Sequence, residues 1–152
     1  MPAVPAETTI LNELETALRL ITINSDYNYT YVTVERGGID HQAQTDYPTI
    51  EIRQLQEEIK PLANRMVERF MNVYIIVTHN QVNGKTKKEK EDIVSKMKQD
   101  VLNRLTEAMI NSEFTVAELI FFSKGEHLIE GEMYVQGGLA MQIQYKNYYQ
   151  NF

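Results

Sequence analysis

The chain contains no cysteine and no tryptophan, and only seven glycines and four prolines in 152 residues. The missing cysteines exclude a disulfide framework, a cysteine nucleophile and the thiolate zinc sites in one step. No apolar stretch approaches the roughly 20 residues that cross a bilayer as a helix. The start, Met1-Pro-Ala-Val-Pro-Ala-Glu7, lacks both the basic residues and the apolar run of a secretory leader. The expectation is a soluble protein made inside the cell and touching no membrane. Basic charge is also short, with 15 Lys and Arg against 21 Asp and Glu, a net charge of -6. Holding nucleic acid by neutralising phosphates needs clustered cations, so the balance speaks against tight binding. An acidic wall suits a channel through which DNA slides without sticking.

What is present is an ordinary globular composition, 43% hydrophobic and 24% charged. A chain of this length buries roughly 70% of the surface that its unfolded form exposes, enough to fold without a metal or a staple. No internal repeat, low-complexity tract or linker divides it, so residues 1–152 are read as one domain.

Apolar periodicity places the elements. Ile10, Leu14, Leu18 and Ile21 recur at steps of three or four, which predicts an amphipathic helix from about Pro5 to Ile21. Tyr29, Tyr31 and Thr33 alternate with Thr30, Val32 and Val34, predicting a strand over 28–36 that ends at Gly37-Gly38. Residues 39–47 are polar and read as a loop, and Ile50 and Ile52 open a second strand. From Gln54 to Arg65 the pattern stays open, because Leu55, Ile59 and Leu62 fit a helix that Pro61 would interrupt. The run over Phe70–Thr78 predicts a strand buried on both faces. Thr86 and Glu89 have the spacing of a capping box, and Ile93, Met97, Val101, Leu105 and Met109 carry a long helix from Lys87 to Ile110, with Asn111 as its stop. That helix is about 36 Å long, the reach of a strand of about 11 residues. A strand over 115–123, a turn at Lys124-Gly-Glu, a weaker β segment over 128–135 and a final strand with Leu139, Met141, Ile143 and Tyr145 on one face complete the chain. The expected fold is α+β: a mostly antiparallel β-sheet with the N-terminal helix and the long helix packed on one face.

Candidate chemistry is thin. His41, His79 and His127 fall in predicted loops or turns with no metal-ligand spacing, and are expected to be exposed. The acid pairs Glu57-Glu58 and Glu130-Gly-Glu132 read as a solvated face. The doublets Gly37-Gly38 and Gly137-Gly138 match no phosphate loop and are expected to supply positive φ at strand ends or bulges. No catalytic residue, cofactor or metal is expected. Lys85, Lys87, Lys88 and Lys90 form a candidate basic partner patch at the start of the long helix; the alternative is a solvated face with i,i+4 pairs such as Lys87 with Glu91. The last eight residues carry four aromatics, Tyr145, Tyr148, Tyr149 and Phe152. They make residues 146–152 a candidate inter-subunit tail, with folding back onto the same domain as the alternative.

The order of elements resembles the tail terminator proteins of long-tailed bacteriophages. The matching layout is the helix Glu7 to Ile21, the aromatic strand to Gly37-Gly38, the segment Tyr47-Pro48-Thr-Ile-Glu-Ile52, the strand Val73 to Val77, the long helix Lys87 to Ile110 and the strand Gly138 to Tyr145. The resemblance implies a homo-oligomeric ring, a hexamer, that caps the tail tube, stops its polymerisation and joins it to the head connector, with DNA passing through the lumen. Its partners would be copies of itself, the tail tube protein and a head connector or neck protein. It would be found in the virion, after assembly in the host cytoplasm. The readings kept beside it are another neck or head-completion protein, a small hydrolase built on loop carboxylates and histidines, and a nucleic-acid-binding module led by the lysines.

Overall fold

The computed structural model describes residues 4–44 and 46–148, with side chains as far as Lys146. Two α-helices and five strands follow one another as α1 (Ala6–Arg19), β1 (Thr33–Arg36), β2 (Thr49–Pro61), β3 (Met66–His79), α2 (Lys87–Ile110), β4 (Leu119–Glu130) and β5 (Val135–Tyr148). The strands make one sheet in the order β1-β2-β3-β5-β4. β1 runs parallel to β2, and every other pair is antiparallel. α1 packs against β1 and α2, and α2 against β3, β4 and β5. The fold is therefore α+β, with both helices against one sheet. Among the described residues no helix is long and apolar enough to cross a membrane.

The helices form where the periodicity places them. α1 buries Ile10, Leu11, Leu14, Ala17 and Leu18. α2 begins in a complete capping box, with Thr86 Oγ1 accepting from the Glu89 N–H and Glu89 accepting from the Thr86 N–H, each at 3.2 Å, and Asn111 is its C-cap. Its buried stripe is Val94, Met97, Val101, Leu105 and Ala108, and it also includes Asp100 and Arg104. Ile110 is 76% exposed. The sheet face beneath the helices presents Ile50 and Ile52 from β2, Met71, Val73, Ile75 and Val77 from β3, and Leu139, Met141, Ile143 and Tyr145 from β5, all buried.

Several strand boundaries differ from the sequence pattern, each for an identifiable reason. The stretch 28–32 is not strand, because the backbone N–H groups of Asn28 and Tyr29 donate to the Asp100 carboxylate at 2.9 and 3.1 Å, and that of Tyr31 to the Ile21 carbonyl. Their donors are thereby taken away from a ladder. The open question at 54–65 resolves as strand: β2 runs to Pro61 and turns back through Asn64 and Arg65, both at φ 61°. Paired left-handed residues give the twist that an antiparallel hairpin needs. β3 is buried on both faces only from Ile75 to His79 and alternates before that. Lys124-Gly-Glu is not a turn but the middle of β4, where register shifts between Phe122 and Lys124 and between His127 and Ile129 absorb the irregular pattern. The chain turns instead between Glu130 and Val135.

Gly37 has φ 90°, as expected at a strand end. Gly137 and Gly138 do not; they lie inside β5, opposite Val77 and Ile76. They are small for a different reason. A Cβ on Gly137 would stand 2.6 Å from Val94 of α2, and one on Gly138 would stand 2.1 Å from the Tyr74 hydroxyl on the opposite face. Each of Gly137→Ala and Gly138→Ala is expected to cost about 1–3 kcal/mol through overpacking. Urea denaturation of the two, and of Gly138→Ala combined with Tyr74→Ala, tests this. The double variant should lose less than the sum of its singles.

Candidate assembly interface

The titratable groups in the interior are engaged in holding elements together. Arg69 of β3, 7% exposed, donates to Glu57 of β2 through Nε and Nη2 and to Glu7 of α1 at 3.0 Å. Tyr145 of β5 donates to the same Glu57 at 2.8 Å, and its ring lies 5.1 Å from the guanidinium. Burial acts to raise the Glu57 pKa, but the hydrogen bonds from Arg69 and Tyr145 outweigh it and hold the carboxyl below its ordinary value. Asp100 accepts from Asn28, Tyr29 and Tyr31 and fastens the segment after α1 to α2; burial raises its pKa against those bonds. Arg104 donates to the Ala17 carbonyl at 2.9 Å and to Glu113. Asp100 and Arg104 sit in the buried stripe of α2, yet the periodicity of that stripe marks only its apolar members.

Two of the three histidines, His41 and His79, depart from the expectation of exposure, whereas His127 is exposed as expected though it lies in a strand. His41 is in the loop between β1 and β2, but its ring is sandwiched between Tyr47 and Tyr134 at 5.9 and 5.3 Å. Its Nδ1 is 2.9 Å from the Tyr47 hydroxyl and its Nε2 3.2 Å from the buried carboxylate of Glu51, which also accepts from Arg53. The cluster fastens that loop over one end of the sheet face opposite the helices. His79 ends β3, only 4% exposed, edge-on to Tyr29 at 5.1 Å. Burial lowers its pKa, so it is a neutral ring. His127 lies in β4 beside Glu130 at 3.4 Å. Among the described residues no three His, Asp or Glu side chains are grouped to hold a metal ion. Glu57, expected on a solvated face with Glu58, is instead the partner of Arg69, because two register positions separate it from Arg69 on the face toward the helices.

The two nominated partner patches fare differently. Lys85, Lys87 and Lys88 are exposed and Lys90 half-buried, and the ion pair formed there is Lys85 with Glu89 at 3.8 Å. Tyr145, taken as an interface residue, is a core residue with no exposed surface, because it is the last member of the alternating apolar face of β5. Tyr148 closes β5 opposite Met66 by its backbone; its side chain, Tyr149 and Phe152 lie outside the described residues.

The sheet edges, through which the expected helix-on-sheet fold lets neighbours pair, acquire their residues only in the structure. β1 pairs with β2 only along Thr49–Ile52, so the outer side of β2 beyond Ile52 faces no strand among the described residues. Leu55 and Ile59 stand there 50% and 51% exposed. A groove of about 540 Å³, lined by Leu11, Arg36, Gly37, Ile52, Arg53 and Leu55, lies at this edge. On the far side β4 has β5 as its one partner strand among the described residues, and it carries Leu119 and Phe121, 47% and 46% exposed. Long edges with exposed apolar side chains are templates for pairing with another chain. No family model matches the chain, and no curated protein matches it in sequence.

Glu57→Gln is expected to lower stability by about 3 kcal/mol, since it strips a buried guanidinium of its main counter-charge. Glu58→Gln, on the exposed face next door, should change it by less than about 0.5 kcal/mol; urea denaturation compares the two. A second expectation concerns pH. Because the folded chain refuses a proton that the unfolded His79 accepts, stability falls as pH drops through the ordinary histidine value of 6.5. Unfolding midpoints between about pH 7 and 5 should show a shallower slope in His79→Gln.

Proposed function

We propose that this chain is a structural assembly protein, a ring subunit resembling the tail terminators of long-tailed bacteriophages. In this reading it caps a tail tube, stops its growth and joins it to the head connector, with DNA passing through the lumen. It acts in the virion after assembly in the host cytoplasm.

The observation that carries the reading is the pair of open sheet edges on opposite sides of one domain, each with large apolar side chains half exposed. Two unlike edges join head to tail, and a head-to-tail contact closes into a ring when its rotation divides a full turn. The net charge of -6 supports a lumen that repels the DNA it conducts. The use of Arg69, Asp100 and Arg104 as ties between elements also supports a scaffold whose polar side chains serve rigidity.

The purified protein is expected to form rings of about six subunits, seen by electron microscopy and weighed by sedimentation, alone or at the ends of tail tubes. A protein that stays monomeric at high concentration and ignores tubes would sink the reading.

A further inference from the structure

The register of the sheet fixes which residues of its two edges lie at the same level. Glu58 pairs with Phe70, Phe70 with Gln144, and Gln144 with Leu119. One step along, Glu57, Met71, Ile143 and Ile120 share a row, and beyond the β2 bulge Gln54, Val73, Met141 and Phe122 share another. The extra residues of that bulge, Leu55 and Gln56, are therefore level with Phe121. The exposed apolar stretch of β4 and the exposed apolar stretch of β2 occupy the same rows at opposite ends of the sheet.

We propose that copies of this chain join through these two edges, β4 of one subunit lying along the free outer side of β2 of the next, residues 53–61. The proposal rests on the ring reading above and names its contact. Strand direction allows it. β2 runs antiparallel to β3, β3 to β5 and β5 to β4, so β2 and β4 point opposite ways. A neighbour related by rotation about an axis along the strands therefore brings its β2 antiparallel to this β4, and the alternation continues across the boundary. Without stagger, Phe121 meets Leu55 on the face away from the helices, removing from water one apolar side chain left half exposed on each edge.

Charge favours the unlike pairing over a pairing of two equal edges. The β4 side, from Glu118 to Glu132, carries four carboxylates, Glu118, Glu126, Glu130 and Glu132, against Lys124. The β2 side carries Arg53, Lys60 and Arg65 against Glu58, with Glu57 engaged by Arg69. Two β4 edges brought together would repel; against β2 the carboxylates at 126, 130 and 132 lie level with Glu51 or beyond it, where β1 covers β2, so charge acts against a β4–β4 pairing rather than across the contact itself. β1 covers the Thr49–Ile52 end of β2 and so limits the neighbour to the stretch beyond it.

Because the chain has no cysteine, engineered thiols report this contact cleanly. In a variant carrying both Leu55→Cys and Phe121→Cys, mild oxidation should produce a ladder of covalent multimers. A mixture of the two single variants should stop at dimers, and each single variant alone should give no cross-link. A cross-linked dimer from Phe121→Cys alone would show β4 against β4 and overturn the proposal. Leu55→Glu and Phe121→Glu, checked for an unchanged circular dichroism spectrum, should each abolish the ring-sized species in sedimentation. Mixed together they should form a one-to-one dimer through their remaining intact edges. Rings that survive both substitutions and give no ladder overturn the edge pairing and leave the ring reading standing. A wild-type chain that remains monomeric overturns both.

Discussion

The pairing of β3 with β5 is the contact on which the rest of the molecule hangs. It runs unbroken through fourteen residue partners, from Met66 opposite Tyr148 to His79 opposite Val135. β2 and β1 attach to one side of it and β4 to the other. Since β5 is the last strand in the chain and the second from the far edge in the sheet, β4 has nothing to pair with until β5 is in place. The two glycines at 137 and 138 belong to this constraint. α2 presses Val94 onto one side of the ladder and Tyr74 crosses the other, and only residues without a side chain leave room for both.

The second layer is held to the first by polar ties as well as by apolar contact. Asp100 and Arg104, one turn apart on the buried side of α2, reach respectively to the segment after α1 and to the last turn of α1. Glu7 reaches from the first turn of α1 to Arg69 in the sheet. α1 is thus fastened at both ends by ion pairs or charged hydrogen bonds, and its apolar stripe fills the space between. Such groups cost desolvation and repay it only when every partner is present. This accounts for their convergence here on complete sets of donors and acceptors.

These ties face inward, whereas the apolar surplus faces outward at the sheet edges. An edge strand that stayed solvated would be expected to carry charge or proline along its length. β2 and β4 do carry such charges, and β2 ends in Pro61, but β2 also exposes Leu55 and Ile59, and β4 exposes Leu119 and Phe121. The rigidity of the domain matters for that surface. A closed assembly requires each subunit to present its two edges at a fixed angle, and a sheet braced by two helices across all but its open face supplies that angle.

Local sequence determined what depends on local periodicity and capping. α1 and α2, the capping box at Thr86, the stop at Asn111 and the buried face of β5 all follow from spacing along the chain, because neighbours three, four or two residues apart decide which side chains share a face. The absence of cysteine and the acidic balance were equally plain. Tertiary structure alone decided the rest. Whether 28–32 is strand depends on Asp100, about 70 residues away; whether 54–61 is strand or helix depends on β3 standing ready to pair; and whether Glu57 is solvated depends on Arg69 and Tyr145 arriving from two other strands. The edges that carry the proposed assembly exist only because β5 folds in between β3 and β4 and because β1 stops short of β2. An edge is a property of a completed sheet, and no window of sequence contains it.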